Sequence, residues 1–308
     1  MKTANKCIYK VFGLNMMSDL IFPELKILNN MKQDIDITVQ INYMLLEDNE
    51  LKNNPYRHFV KEGQVQFHIP EVASFTVEAG KQITVSPING ADEGLLRLYI
   101  LGTCMGVILM QRRVIPLHGS AIEINGKAYA FVAESGVGKS TLAAAFINCG
   151  YKLVSDDVIA VSYSDVNLPP LVTPSYPQQK LWQESLAEFG MTSNEYTSIF
   201  GRETKYSVPV TSQFYNKVLP LGGIFELLKE EMESPKVQKL NKLESLQTLY
   251  QHTYRNFIIP RLGLMDWHFK TSANILNHNE VFQLRRPEEG CSASKLTSLI
   301  LNTLNVEG

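Results

Sequence analysis

The chain has 308 residues, a length typical of about two domains. Hydrophobic residues make up 44% and charged residues 19% of the sequence, which excludes a disordered chain, a collagen and a coiled coil. The 29 basic and 31 acidic side chains give a net charge of -2, so no overall electrostatic field draws the chain to nucleic acid, and we expect no nucleic-acid partner.

Cysteine usage and hydropathy predict a cytoplasmic protein without a membrane segment. The N-terminus has no signal peptide, because Lys10 interrupts its apolar run. The uncharged run 98–111 is too short to span a bilayer, which takes about 20 residues, so we expect a buried helix there. The four cysteines are widely spaced and form no CxxC pair, which fits neither a zinc knuckle nor a disulfide framework. This spacing indicates a reducing compartment. The cysteines are Cys7, Cys104, Cys149 and Cys291.

Residues 1–90 are predicted to form a small β-rich domain. Turn-forming clusters at 52–55 and 86–90 separate its strand-like segments. No titratable cluster of familiar spacing occurs in this domain, so it is interpreted as a module that packs on the rest of the chain or presents something to it. Hydrophobic side chains alternate with the period of two that is typical of strands at 34–41, 65–69, 75–77 and 83–85.

Residues 91–308 alternate between predicted helices and strands. Asn125-Gly126, between two strand-like runs, is the strongest hairpin signal in the sequence. The prolines beyond Asp165 predict a long irregular connection. In chain order we predict a helix over 93–112 capped by Ala91 or Asp92, strands over 114–124 and 127–132, a helix over 139–148 that stops at Gly150, strands over 151–155, 158–162 and 206–210, a helix over 243–250, a strand over 280–284 and a helix over 293–304.

A phosphate-binding P-loop is predicted at 133–140, which reads AESGVGKS and has Ala133 in place of the first glycine. Its glycines let the backbone turn tightly and point N–H groups at a phosphate, and the following helix offers its positive end to the same anion. Lys139 can then reach the β- and γ-phosphates, and the Ser140 hydroxyl can ligate Mg²⁺. The predicted nucleotide-binding residues of this segment are Ser135, Gly136, Val137, Gly138, Lys139, Ser140 and Thr141.

The pair Asp156-Asp157 follows the predicted P-loop helix directly. The order strand, loop, helix, strand predicts that the strands before the P-loop and before the pair are neighbours, which brings the aspartates towards the phosphates. Adjacent residues of a strand face opposite ways, so one carboxylate is expected at Mg²⁺ and the other at the attacking group. The alternative is a pair of turn aspartates between two short strands.

Other polar residues are weaker candidates. From spacing alone, His118 is more often a structural residue than a catalyst, although Gly119 beside it indicates a close approach to the backbone. Phosphoryl transfer usually recruits an extra cation. We select Lys205, in a predicted loop, as that cation and interpret the nearby Arg202 as a solvated surface residue. Arg255 is a weaker candidate still, and Trp182 and Trp267 are interpreted as core residues.

Taken in order, His118-Gly119, the P-loop and Asp156-Asp157 resemble the bacterial HPr kinase/phosphorylase family over residues 114–162. The resemblance implies an α/β fold with an HPr-kinase-like P-loop kinase domain, in which helices flank a mixed sheet, preceded by the small β-rich N-terminal domain. It also implies an ATP-dependent protein serine kinase. Lys139 and Ser140 would bind phosphate and Mg²⁺, Asp156 would be the general base, Asp157 would lie nearer the metal, and His118 would assist at the phosphate or orient the base.

A second resemblance extends over most of the chain. The segment E-x-R-G-L-G of HPr kinases has no counterpart in 168–190. Instead, the runs Val11-Phe12-Gly13-Leu14, Lys180-Leu181-Trp182 and Lys205-Tyr206 resemble HPr-kinase-related proteins from peptide biosynthetic clusters. Some of those proteins phosphorylate the C-terminal serine of a lasso-peptide precursor.

The combined interpretation is a kinase that uses ATP and Mg²⁺ to phosphorylate a serine of a peptide substrate, with a lasso-peptide precursor as the expected partner. An HPr-type kinase that acts on a folded carrier protein is the first alternative. A non-catalytic, ATP-dependent peptide-binding module and a small-molecule kinase are the others. HPr kinases are typically hexameric, so the resemblance is compatible with a homo-oligomer, but no segment of the sequence indicates one.

Overall fold

The N-terminal part of the chain is a mixed β-sheet. The computed structural model describes residues 6–28, 34–43, 49–199, 202–288 and 292–305. The first elements are β1 (Cys7–Val11), β2 (Leu14–Ser18), β3 (Ile37–Ile41), α1 (Asn49–Asn53), β4 (His58–Lys61), β5 (Gln64–Ile69), β6 (Ala73–Glu78) and β7 (Gln82–Pro87). Within the described ranges, the seven strands are ordered β1-β2-β3-β7-β6-β5-β4. The predicted strands are therefore confirmed, and their alternating side chains form a core in which the rings of Phe67 and Phe75 stack at 4.9 Å.

A long buried helix follows this sheet. It consists of α2 (Glu93–Tyr99), a π-helical turn (Ile100–Cys104) and α3 (Met105–Gln111). Asp92 caps it, since its side chain accepts a hydrogen bond from the N–H of Leu95. Of the residues that the structure describes, 93–111 form the one helix long and apolar enough to cross a membrane, and 67% of its apolar stretch is buried in the protein. The helix packs against the N-terminal sheet, so the predicted buried helix is confirmed.

A second mixed sheet carries the P-loop. The later strands are β8 (Ile115–Ile124), β9 (Lys127–Val132), β10 (Lys152–Ser155), β11 (Val158–Ser162), β12 (Leu171–Thr173), β13 (Gln178–Trp182), β14 (Thr197–Ile199), β15 (Arg202–Pro209), β16 (Leu219–Glu230), β17 (Lys236–Lys239) and β18 (Val281–Pro287). Among the described residues, the main path of this sheet is β10-β8-β11-β12-β16-β18-β17, and β9 lies between β8 and β16. Strands β13, β15 and β14 form a separate small sheet.

Helices flank the second sheet on both faces. They are α4 (Lys139–Asn148), α5 (Gln183–Glu188), α6 (Lys242–Gln251), α7 (Ile258–Arg261), α8 (Met265–His278) and α9 (Ala293–Thr303), with 3₁₀ turns at Ser193–Glu195 and Thr211–Gln213. On one face, α4 and α9 pack over Phe131 and Phe225. On the other, α6 and α8 pack over Ala128 and Ala130, which lie on the opposite side of β9 from Phe131. The expected α/β fold with a mixed sheet and flanking helices is therefore confirmed.

One expectation about this sheet was wrong, and one of its strands was missed. Strands β9 and β10 are not neighbours, because β8 lies between them and pairs with both. The long central strand β16 was missed, since its Gly222-Gly223 pair resembles a turn. These glycines are needed for packing: a Cβ atom added to Gly222 would lie 2.5 Å from the ring of Tyr129. The predicted irregular connection beyond Asp165 also contains β12 and β13. The predicted domain boundary after residue 90 stays a prediction.

Candidate functional site

The P-loop connects β9 to α4 as predicted. Gly136 and Gly138 have φ angles of 85° and 113°, in the left-handed region that favours glycine. Gly138 is the N-cap of α4. Because glycine has no side chain, this N-cap residue does not cap the N–H groups of the first helical turn. Those N–H groups and the positive end of α4 fit a phosphate group.

Lys139 lies buried inside the P-loop. Its Nζ donates hydrogen bonds to the carbonyl oxygens of Ala133, at 2.8 Å, and Glu134, at 2.9 Å. Burial lowers the pKa of Lys139, while the carboxylates of Asp157 and Asp156 oppose that shift. The ammonium group therefore lies within the loop that would surround a phosphate. Ala133, which stands in place of the first glycine of the motif, is buried.

Arg286 holds the P-loop from β18, which β16 separates from β9, and the sequence analysis missed this residue. Its Nη2 and Nε donate to the carbonyl oxygen of Val137, at 2.8 and 3.3 Å. Strands β9, β16 and β18 are parallel, so Arg286 near the carboxyl end of β18 reaches the same edge as the P-loop. Arg286 could have been found from its position near the carboxyl end of a strand parallel to β9. That arrangement was not predicted, because β18 pairs with β16, which the sequence analysis missed.

The two aspartates lie at the break between β10 and β11, two short strands that pair with successive parts of β8. Asp157 has a φ of 71°, an uncommon left-handed conformation for a residue other than glycine. The N–H of Gly119 donates to the carbonyl oxygen of Asp157 at 3.2 Å. A Cβ atom added to Gly119 would lie 2.3 Å from the carbonyl oxygen of Phe131, which explains the glycine. The close backbone approach predicted at Gly119 is therefore confirmed.

Asp156 points to the first turn of α4. Its Oδ1 accepts hydrogen bonds from the hydroxyls of Ser120, at 2.6 Å, and Ser140, at 3.2 Å. Its Oδ2 accepts the backbone N–H of Lys180 at 2.8 Å. The carboxylate is buried. Three donors therefore fix Asp156 beside the hydroxyl that was predicted to ligate Mg²⁺.

Asp157 points to a different set of partners. Its Oδ2 lies 2.7 Å from Nζ of Lys180, and its Oδ1 lies 3.7 Å from Nδ1 of His118. Burial alone would raise the pKa of Asp157, but the Lys180 ammonium group, through its charge and its hydrogen bond, holds that pKa well below its usual range. The carboxylate is therefore ionised and lines the cleft next to the P-loop. Lys180, which the sequence analysis quoted only as part of a motif, is a second missed site residue.

His118 lies over the aspartate pair. Its Nδ1 is 3.1 Å from the carbonyl oxygen of Asp157, a distance at which a neutral ring can donate its Nδ1–H. Burial lowers the pKa of His118 in spite of the two aspartates, which favours the neutral ring. The ring lies 5.5 Å from that of Tyr254. A Cβ atom added to Gly102, in the π-helical turn, would lie 3.1 Å from the Tyr254 hydroxyl and 3.7 Å from Oδ2 of Asp157. This turn therefore packs against both Tyr254 and Asp157.

The other predicted residues lie on both sides of the loop. The hydroxyl of Thr141 lies 2.7 Å from that of Ser185 at the start of α5. Lys205 lies on strand β15 and not in the predicted loop, with its Nζ 5.2 Å from the centre of the Trp182 ring. Both residues line the cleft, so Trp182 is a wall residue and not only a core residue. The side chain of Arg202 lies outside the described part of the structure.

The P-loop, the aspartate pair and their partners line one cleft of about 1400 Å³. Its P-loop end is lined by Ser135, Gly136, Gly138, Lys139, Ser140, Thr141, Asp156, Asp157, Lys180, Trp182, Lys205 and Arg286. Its N-terminal end is lined by Ile69 of the first sheet, by Tyr56, Val72 and Ile88 in the segments next to its strands, by Leu95 and Tyr99 of α2, and by Tyr254, Arg255 and Phe257. The cleft therefore joins the P-loop to the β-rich N-terminal part of the chain.

The residues present fit a magnesium ion that arrives with a polyphosphate. Within the described ranges, no group of three or more His, Cys, Asp or Glu side chains is arranged to hold a metal. Ser140 and Asp156 offer two adjacent oxygen ligands. Mg²⁺ needs few protein ligands, because it keeps several waters and binds substrate phosphates.

Comparisons with known proteins find partial similarity. No family model matches the chain. An HPr kinase/phosphorylase of Mycoplasmopsis pulmonis is 32% identical over 65 residues, which cover 20% of this chain and 21% of that protein. The structure of the Hpr(Ser) kinase/phosphatase from Coxiella burnetii matches 62% of this chain and 90% of its own, with 15% sequence identity and a TM-score of 0.36. The sequence match supports weak homology to HPr kinase/phosphorylase over part of the chain, and the relation to lasso-peptide kinases stays a prediction.

Proposed function

We propose that the protein is a kinase that transfers the γ-phosphoryl group of Mg·ATP to a serine hydroxyl of a peptide or protein. One observation carries the proposal: beside the P-loop, Asp156 is bonded to Ser140, while the adjacent Asp157 faces the cleft. A site that only binds nucleotide has no need of a second, ionised carboxylate at this point. The partial sequence match to HPr kinase/phosphorylase supports the same chemistry.

The P-loop end supplies the phosphate contacts. Lys139 would exchange its bonds to the loop carbonyls for bonds to phosphate oxygens, and the first-turn N–H groups of α4 would bind the same anion. Arg286 keeps the loop in this conformation through Val137. Bound Mg·ATP would supply the transferable phosphoryl group and the ADP leaving group. Lys205 lines the same end of the cleft, where its charge can stabilise the transferred group.

The contacts favour the opposite division of the aspartates from the one that the sequence analysis predicted. Asp156 shares its Oδ1 with Ser140, so it belongs with the Mg²⁺ ligands. Asp157 would accept the proton of the acceptor hydroxyl while that oxygen bonds to phosphorus and the bond to ADP breaks. Its low pKa makes it a weak base, which suits a loose transition state in which positioning and charge stabilisation contribute most of the catalysis. The Nδ1 of His118 keeps the backbone of Asp157 in place.

The N-terminal end of the cleft supports a polypeptide acceptor over a small molecule. Its walls combine apolar side chains of the first sheet, such as Ile69 and Val72, with the exposed guanidinium of Arg255. The first acceptor to test is the C-terminal serine of a lasso-peptide precursor, on the resemblance of Lys180-Leu181-Trp182 and Lys205-Tyr206. The second is the carrier protein HPr, which the partial match to HPr kinase/phosphorylase favours.

Intact-mass spectrometry of acceptors after incubation with the protein, Mg²⁺ and ATP tests this proposal. We expect a serine-ended precursor peptide to gain phosphate, and fragmentation to place it on the serine. Lys139→Ala should lose the reaction, whereas Lys127→Ala, which removes an exposed lysine of β9, should keep it. Phosphate on HPr alone would select the second candidate. ATP binding without transfer to any acceptor or to water would contradict a kinase.

A further inference from the structure

Lys180 contacts both aspartates at once. Its Nζ lies 2.7 Å from Oδ2 of Asp157, and its backbone N–H donates to Oδ2 of Asp156 at 2.8 Å. Lys180 is only 8% exposed, although it lines the cleft. One buried residue therefore holds both carboxylates: its side chain contacts Asp157, and its backbone N–H contacts Asp156.

The other cations of the P-loop end have different partners. Lys139 donates to the loop carbonyls, and Arg286 donates to Val137. Lys205 lies over the ring of Trp182. Over the described part of the chain, Lys180 and His118 are the basic groups within ion-pairing distance of Asp157, and Lys180 is the nearer by 1.0 Å (3.7 less 2.7 Å).

We infer that Lys180 is a positioning residue for phosphoryl transfer, which directs Asp157 to the acceptor hydroxyl through its ammonium group and Asp156 to Ser140 through its N–H. The inference rests on the proposed kinase function. Phosphate groups beside two carboxylates would repel both of them. An ammonium group in contact with Asp157 offsets that repulsion, so the carboxylate can stay next to the transferred group.

The energetics of burial favour a functional role over a purely stabilising one. Moving a lysine and an aspartate out of water is costly, and apolar side chains of similar volume in place of a buried ion pair often leave a protein as stable or more stable. The next residue, Leu181, is buried in the core, so β13 already carries apolar side chains. The ion pair at the cleft is therefore better explained by what it positions.

Strand β13 also connects this contact to the nucleotide side. The Gln179 side chain donates to the carbonyl oxygen of Ser140 at 2.8 Å. Trp182, two residues after Lys180, pairs with Lys205 in the strand register and carries its ammonium group over the indole ring. Three residues of one strand therefore contact the first turn of α4, the aspartates and Lys205, so a displacement of β13 would move all three contacts together.

The test uses the full chain with Lys180→Met, Lys180→Arg and the double variant Lys180→Met/Asp157→Asn. Lys239→Met is the matched control, because it removes a lysine ion pair at an exposed position, with Glu280. Three quantities are measured: the dissociation constant of Mg·ADP by calorimetry, the melting temperature, and kcat and KM for ATP, with transfer to water as the reaction if no acceptor is in hand. Lys239→Met should leave all three unchanged.

We expect Lys180→Met to lower kcat about 100-fold, since a misplaced carboxylate is enough for such a loss, and to change the Mg·ADP dissociation constant little. Its melting temperature should fall, because the partly buried Asp157 loses its contact with the Lys180 ammonium group. The double variant should regain the melting temperature without regaining kcat, and Lys180→Arg should regain part of both.

An unchanged kcat in Lys180→Met would overturn the inference alone. Recovery of kcat together with stability in the double variant would also overturn it, by making the pair merely structural, and would in addition remove Asp157 as the proton acceptor. A wild-type chain that binds Mg·ADP but transfers phosphate neither to an acceptor nor to water would overturn the proposed function itself. The two failures are therefore distinguishable.

Discussion

The two ends of the cleft differ in where their main elements lie in the sequence. At the P-loop end, one continuous segment, 133–141, carries the glycines and the start of α4, and the aspartate pair, β13, β15 and β18 complete the walls. The N-terminal end is assembled from the first sheet and its turns, from α2 and from the segment Tyr254–Phe257, which are far apart in sequence. The proposed phosphate site is therefore encoded mostly in one short segment, whereas the proposed acceptor site depends on how distant segments pack.

The largest expected effect lies where the two ends meet, at the aspartates. Asp157→Asn should lower kcat about 1000-fold, because the acceptor loses its proton acceptor, with little change in Mg·ADP affinity. Asp156→Asn should instead raise the Mg²⁺ concentration for half-maximal activity about tenfold, since one metal ligand loses its charge. Steady-state kinetics over a magnesium titration separates the two. The reverse pattern would restore the division of roles that the sequence analysis predicted.

The free energy of unfolding should fall in acid through His58, which lies on β4 of the first sheet. Its ring stacks on Phe67 at 4.8 Å and meets Phe257 edge-on at 5.1 Å, and burial, followed by the charges of Arg255 and Arg261, lowers its pKa to about 4. The folded state therefore requires neutral His58. Its contribution to the free energy of unfolding is complete above the unfolded pKa of about 6.5 and is lost as the pH falls from there towards 4.

Denaturant unfolding at pH 7.5 and at pH 5 measures this contribution. Wild type should lose about 2 kcal/mol more than His58→Phe, which keeps the aromatic contacts but does not titrate. His268 has a pKa lowered by burial to about 4 as well, but it is common to both proteins and cancels in the comparison. Equal losses in the two proteins would remove His58 as the acid-sensitive contact.

At the P-loop end, Arg286→Met should weaken Mg·ADP binding about tenfold, because the loop loses the charged donor that bonds to Val137. Arg285→Met is the matched control. It alters the adjacent guanidinium on the same strand, which contacts Gln283 and Glu230 and not the loop. Calorimetric titration of both variants gives the comparison, and equal affinities would show that the P-loop needs no support from β18.

The smallest expected effect concerns Arg255, which has an uncommon φ of 54° and whose Nη2 lies 3.4 Å from the Thr103 hydroxyl. Arg255→Met should raise the KM for a peptide acceptor about fivefold, the size expected for an exposed charged contact. The KM for ATP should not change. A larger effect on ATP than on the acceptor would contradict the division of the cleft into two ends.

Much of the fold was predictable where short-range signals decide it. The N-terminal strands follow from their period-two alternation, and the P-loop follows from glycines that need left-handed φ angles. The hairpin at Asn125-Gly126 has positive φ at both turn residues, as its signal predicts. Strand β16 escaped prediction because Gly222-Gly223 makes room for the distant ring of Tyr129, a contact that no local pattern contains.

The candidate site, like the fold, has features that short-range signals predict and features that they do not. Glycine geometry, periodicity and spacing are properties of short segments, so they were enough to predict a buried helix, a P-loop and an aspartate pair in this order. The turn of Asp156 to Ser140 and of Asp157 to Lys180, and the contact of Arg286 with the loop, appear only in the folded chain. Those contacts join residues 16 to 149 positions apart in the sequence, and contacts over such distances are selected by the packing of the whole chain.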